Sequence, residues 1–141
     1  MKQICAWIGM ILGLIVAISV SARPPTNMEY CAAMGDAFFQ KNYFRVGGTE
    51  EGFIKETSGF ANYKMQLYAA MQYGLLACGD ETFEHLDLQI YDDKGNMLMK
   101  HDEPINSPIF VFRPPADGVY FVVVYANTGY GNFVFLKMYR E

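Results

Sequence analysis

The chain has 141 residues, of which 52% are hydrophobic, 16% aromatic and 18% charged, with a formal net charge of −4. An acidic chain of this kind argues against nucleic acid and anionic membrane surfaces as partners. Its length suits one domain with a real core and is too short for two ordinary ones.

The N-terminus reads as a secretory signal. Lys2 gives a positive start, Ile4 to Val20 is apolar apart from Ser19, and Val20-Ser21-Ala22 supplies the small residues that a signal peptidase admits. Arg23-Pro24-Pro25 then breaks any continuing helix. A membrane-spanning helix needs about 20 apolar residues, more than this run offers, so cleavage after Ala22 is expected. The mature chain would then keep 119 of the 141 residues, be one charge more acidic through loss of Lys2, and have no stable membrane insertion. Its place is periplasmic or extracellular.

Cys5 leaves with the signal, so Cys31 and Cys78 are the two cysteines of the mature chain. In an oxidising compartment they are expected to pair, tying an N-terminal segment to a strand.

From Thr26 the spacing is helical, with Met28, Cys31, Ala32, Gly35, Phe38 and Phe39 on one stripe. Thr26 and Glu29 form a capping box, and the helix is expected over 27–42. Thr49 to Gly59 is polar and reads as a connector with at most one short strand around Phe53-Ile54. The period then becomes two. Tyr63, Met65 and Leu67 alternate with Lys64 and Gln66, and Tyr73 to Ala77 forms another short apolar run. In 85–91, Leu86, Leu88 and Ile90 are expected to face the core and Asp87, Gln89 and Tyr91 to face out. Residues 92–96 make a hairpin turn in which Gly95 or Asn96 takes positive φ, and Met97 to Lys100 returns. Ile109 to Phe112, Val119 to Ala126 and Phe133 to Tyr139 complete the strands. The expected fold is mainly β: an antiparallel β-sandwich or jelly roll of about seven or eight strands preceded by one N-terminal α-helix. The domain reading is signal peptide 1–22, helix and connector 23–59, and β-sandwich 60–141, with 23–141 one globular unit.

Three pieces in this order, Leu-Asp-Leu-Gln-Ile-Tyr-Asp-Asp-Lys-Gly-Asn at 86–96, Asp117-Gly118-Val119-Tyr120-Phe121-Val122-Val123-Val124-Tyr125, and Gly131-Asn132-Phe133, carry a likeness to a known family. The stretch from Tyr63 to Met138 resembles the bacterial pre-peptidase C-terminal (PPC-like) domain, a secreted β-sandwich module often attached to extracellular proteases. The resemblance implies a jelly-roll-like fold and a binding or accessory role. This sequence departs from the family in having no protease domain and in placing a cysteine-bearing helix ahead of the module.

Asp80, Glu81, Glu84, Asp87, Asp92 and Asp93 crowd one part of the sequence, with Asp102-Glu103 following. Hard carboxylate ligands suit calcium, which makes Asp87, Asp92 and Asp93 its candidate ligands, but their spacing fits no EF-hand loop. A solvated acidic edge accounts for them better, so no cofactor is expected. His85 and His101 are the only neutral-pH bases, and Ser58 and Ser107 the only mature serines. No nucleophile-elbow signature accompanies them, so no catalytic residue is assigned. Tyr63, Tyr73, Tyr91, Tyr125 and Tyr130 offer aromatic contact area, with Tyr91 and Tyr130 expected to be exposed as a binding face. The expected function is a secreted, non-catalytic binding or accessory module for an envelope or extracellular protein or polysaccharide. The alternative is a small secreted hydrolase or enzyme inhibitor with its site near His85, His101 and Asp102. Cleavage after Ala22 makes Arg23 the first residue of the exported protein; intact-mass measurement on material recovered from the periplasm or medium checks this, and a retained Met1 would refute it.

Overall fold

The computed structural model describes residues 26–141, so the expected signal, the expected cleavage after Ala22 and the Arg-Pro-Pro break lie outside the described residues. Helix α1 spans Asn27–Lys41 and begins as its capping box dictates. The Glu29 backbone N–H donates to Thr26 Oγ1 at 3.1 Å, and the Thr26 N–H donates to Glu29 Oε2 at 2.7 Å. The helix stops at Asn42, whose N–H and side-chain amide both return to the carbonyl of Phe38.

Eight strands follow: β1 Arg45–Ile54, β2 Phe60–Leu67, β3 Gln72–Gly79, β4 Phe83–Tyr91, β5 Met97–His101, β6 Ile109–Phe112, β7 Gly118–Gly129 and β8 Gly131–Arg140. They form two antiparallel sheets, ordered β1-β8-β3-β6 and β2-β7-β4-β5. Period-two alternation sends Leu67, Leu86, Leu88, Ile90, Val122 and Val124 inward from the second sheet to meet Leu75, Ala77, Phe133 and Phe135 of the first. The hairpin at 92–96 turns at Gly95, which has φ +83°.

Strand β3 is buried on both faces, because α1 covers the outer side of the first sheet. Phe39, Phe44, Leu76, Cys78, Val134, Leu136 and Met138 make this second core, with Met28, Cys31 and Ala32 of the helix packed on it. The fit depends on two glycines. Leu76 sits against Gly35 of the helix, Phe39 sits against Gly74 of β3, and an added methyl at either glycine would collide with its neighbour. Cys31 and Cys78 form a disulfide between helix and strand. Arg140 closes the far end, reaching the Asn42 carbonyl and Gln72 Oε1, both at 2.8 Å, while its guanidinium lies over the Phe44 ring.

Three expectations need correction. The segment 49–59 is not a connector with a short strand: β1 runs for ten residues and pairs with β8 along its length, so the sandwich begins at Arg45 and not at residue 60. An edge strand exposed on most of its length shows no apolar alternation, and its ladder to β8 is a backbone matter. Phe38 does not share the buried stripe with Phe39; it is 53% exposed on the outer side of α1. Asp87 and Gln89 do point away from the core, yet both are buried on the outer face of the sheet.

The disulfide spans 47 residues, so removing it should cost about 4 kcal/mol in the chain-entropy account. Urea denaturation of a Cys31→Ala/Cys78→Ala variant checks this; a loss below about 1 kcal/mol would mean that helix docking holds without the bond.

Candidate binding face

Among the described residues no layer lies over the outer face of the β2-β7-β4-β5 sheet, and the ladder registers specify what that face carries. Directly paired residues project to the same side. One row is Phe60, Tyr125 and Asp87; the next is Asn62, Val123, Gln89 and Lys100; the third is Lys64, Phe121, Tyr91 and Met97. Four residues along β7 separate Phe121 from Tyr125, a distance of about 13 Å in extended backbone. Two aromatic pairs, Phe121 with Tyr91 and Tyr125 with Phe60, therefore bracket a central amide row of Asn62 and Gln89.

The face is held by its own polar contacts. Tyr91 Oη donates to Gln89 Oε1 at 2.7 Å, which fixes the ring and the amide together. Asp87 is 1% exposed although it stands on the outer side, because neighbouring side chains close over it. His85 Nε2 lies 2.8 Å from Asp87 Oδ1, and Lys100 Nζ lies 3.7 Å from Oδ2 and 3.4 Å from Asp102 Oδ2. Neither Asp87 oxygen accepts a well-aligned hydrogen bond. Partial desolvation works to lower the Lys100 pKa, but Asp87 and Asp102 together hold it above the ordinary lysine value.

At the hairpin end, Asn62, Phe121, Val123, Tyr91, Asp92 and Asp93 line an open concavity of about 450 Å³. Ring faces beside amides and carboxylates suit a ligand with apolar faces and many hydroxyls: the rings stack, and the amides and carboxylates bond the hydroxyls.

The structure gathers some of the expected site residues and scatters others. Tyr91, Asp92 and Asp93 share the concavity, whereas Asp87 lies four residues back along β4 from Tyr91, among His85 and Lys100. Asp92 is committed to its turn, accepting from the N–H groups of Lys94 and Asn96 and from Asn96 Nδ2. Those bonds, led by the Asn96 side chain, keep its carboxyl below the usual carboxylate range. Among the described residues no group of three or more His, Cys, Asp or Glu could hold a metal ion, so Asp87, Asp92 and Asp93 do not converge as a calcium site. The acidic residues also do not form an edge: β5 exposes Met97, Leu98 and Met99, Glu84 and Asp87 lie on β4, and the other carboxylates sit in the segments before β4 and on either side of β5.

Tyr91 is half-buried rather than exposed, and Tyr130, 56% exposed, projects from the β7–β8 turn at the opposite end of β4. The two cannot belong to one face. Tyr73 is buried, its Oη accepting from the Tyr68 N–H, and Tyr63 stacks on Phe135 with ring centroids 4.7 Å apart. Burial raises the pKa of both. Of the five tyrosines, Tyr91 and Tyr125 serve the face; Phe60, Phe121 and Asn62 were not singled out by sequence, although the alternation of β2 and β7 placed them on it.

His85 and His101 stand on opposite sides of their sheet. His101 pairs with Leu88, whose side chain is in the core, while His85 is on the outer side with Asp87. Among the described residues neither Ser58 nor Ser107 hydrogen-bonds to a histidine, and Asp102 is paired with Lys100.

No family model matches the chain, and no curated protein is significantly similar to it.

The charge layer predicts a coupling. Lys100→Met should lower the urea midpoint at pH 7 by leaving Asp87 more poorly compensated, and adding Asp87→Asn should recover most of the loss. Additive losses in the double variant would show that Lys100 and Asp87 do not interact.

Proposed function

We propose that this is an exported, non-catalytic binding module that holds a segment of neutral envelope or extracellular polysaccharide across the outer face of the β2-β7-β4-β5 sheet. The observation that carries this reading is the pair of aromatic platforms, Phe121 with Tyr91 and Tyr125 with Phe60, set about 13 Å apart on one face with amides between them. A flat sheet offers repeated contacts to an extended chain rather than a closed pocket for a small molecule. The bonded Tyr91 and Gln89 pair is already ordered before a ligand arrives, which reduces the entropy lost on binding.

The export half of the proposal rests on the N-terminal 22 residues and is supported by the Cys31–Cys78 disulfide, a bond that persists in oxidising compartments. Among the described residues no helix is long and apolar enough to cross a membrane. The strand orders β1-β8-β3-β6 and β2-β7-β4-β5 support reading the sandwich as a jelly roll, in line with the resemblance to PPC-like modules. The non-catalytic reading is supported by the separation of His85 from His101.

Affinity electrophoresis against soluble glucan, xylan and mannan tests the ligand class. At least one should retard the protein. Phe121→Ala and Tyr91→Ala should each weaken that retardation about tenfold, the value of one stacking contact, and Tyr130→Ala should leave it unchanged. Retardation by none of the three, or equal loss on Tyr130→Ala, would overturn the assignment to this face.

A further inference from the structure

Helix α1 is apolar on both sides. Gly35 and Phe39 are buried against the first sheet, with Met28 and Ala32 packed beside them, yet Tyr30, Ala33, Met34, Ala37 and Phe38 are exposed on the opposite side. Tyr30, Met34 and Phe38 are 61%, 56% and 53% exposed, and Tyr43 and Val46 extend the apolar surface past the end of the helix. Glu29, Asp36 and Gln40 keep one flank of the helix polar, so the exposed apolar side chains form a bounded strip, the form that a contact surface takes. The disulfide and the two glycine contacts fix α1 to the sheet, and among the described residues nothing lies over the strip that it turns outward.

We infer that the outer face of α1 is the contact of a two-fold symmetric homodimer in which the two helices pack antiparallel. The pattern on this face complements itself. Tyr30, Met34, Ala37 and Lys41 fall at i, i+4, i+7 and i+11, the seam of a two-helix coiled coil, with Ala33 and Phe38 flanking it. Laid antiparallel about a two-fold axis between residues 35 and 36, Met34 of one protomer meets the partner's Ala37. Phe38 meets the partner's Ala33, and Tyr30 meets the partner's Lys41.

Each large apolar side chain thus faces a small one, and the remaining ring faces an ammonium, a favourable cation–π pairing. Every contact occurs twice, as an isologous interface requires. The antiparallel arrangement also sets the acidic first turn, with Glu29, near the basic last turn, with Lys41, and opposes the two helix dipoles favourably. A helix of 15 residues is about 22 Å long, room for these layers. The same face is ill suited to anionic lipid, because α1 carries one lysine against Glu29 and Asp36. This inference is independent of the polysaccharide reading, since α1 lies on the sheet opposite the binding face.

Sedimentation equilibrium of the protein expressed as the full chain and purified in its disulfide-bonded form tests it. The expected result is a concentration-dependent monomer–dimer equilibrium. Met34→Glu should raise the dimer dissociation constant at least about tenfold while leaving the thermal midpoint of the dilute protein unchanged, because the side chain is exposed in the monomer. Met34→Ala and Ala37→Met should each weaken the dimer, and the two together should restore it, a rescue that a merely adhesive apolar patch would not give. A wild-type chain monomeric at every concentration would overturn the inference. So would a dimer indifferent to Met34→Glu, or a monomer that cosediments with lipid vesicles.

Discussion

The architecture depends on the docking of α1 against the outer face of the β1-β8-β3-β6 sheet. That face carries Leu76, Val134, Leu136 and Met138, side chains that would lie in water if the helix were absent. Two reciprocal insertions seat the helix: Leu76 enters at Gly35 and Phe39 enters at Gly74. Neither can occur unless the opposing residue lacks a side chain, so the register between helix and strand is set by where the glycines fall. The Cys31–Cys78 bond then makes the same register covalent. With one sheet covered in this way, the outer face of the other is, among the described residues, the sheet surface left open.

That free face manages an electrostatic problem. A carboxylate as deeply buried as Asp87 must be compensated, because the charge has lost its water. Lys100 on the neighbouring edge strand supplies the opposite charge and is itself tied to Asp102, while His85, on the same strand as Asp87, stands 2.8 Å from the carboxylate. The chain of opposite charges lies along one side of the amide row and keeps β5, a short strand of five residues, against β4. Rigidity there serves the neighbouring Gln89 and Tyr91, whose mutual hydrogen bond would otherwise be free to open.

Much of this was legible in the residues, wherever burial follows period. The capping box placed the start of α1 at Thr26, the Ile109–Phe112 run matched β6 residue for residue, and Leu86, Leu88 and Ile90 faced the core as alternation requires. The pairing of Cys31 with Cys78 followed from their being the two cysteines that remain when the expected signal is set aside. What escaped was determined by tertiary context. Strand β1, with Gly47, Gly48, Glu50 and Glu51, has no inward stripe to betray it and owes its existence to the ladder with β8. Phe38 and Phe39 are adjacent and equally apolar; Phe39 is the one in phase with Met28, Ala32 and Gly35, and Gly74 leaves room for its ring. Asp87 was placed on the correct side of its strand, but alternation tells only the side and not that His85 and Lys100 stand against the carboxylate there. The candidate face was half visible: Tyr91 and Tyr125 stood out as tyrosines, while Phe60 and Phe121 were not singled out, because a phenylalanine carries no polar group to mark a contact role.

The first sheet has a kinetic consequence. Its central strand β8 is the last element of the chain, and both β1 and β3 hydrogen-bond to it, so Arg45 is paired with Tyr139 and Gln72 with Arg140. Contacts so distant in sequence carry the full loop-closure entropy before they return any stabilisation, and chains dominated by them fold slowly. Until residues 131–140 leave the ribosome, β1 and β3 have no neighbour to bond between them. Nascent α1 likewise has no finished sheet to lie on. The second sheet and the β3–β6 ladder need nothing from β8, so the first sheet is the one whose closure waits for residues 131–140.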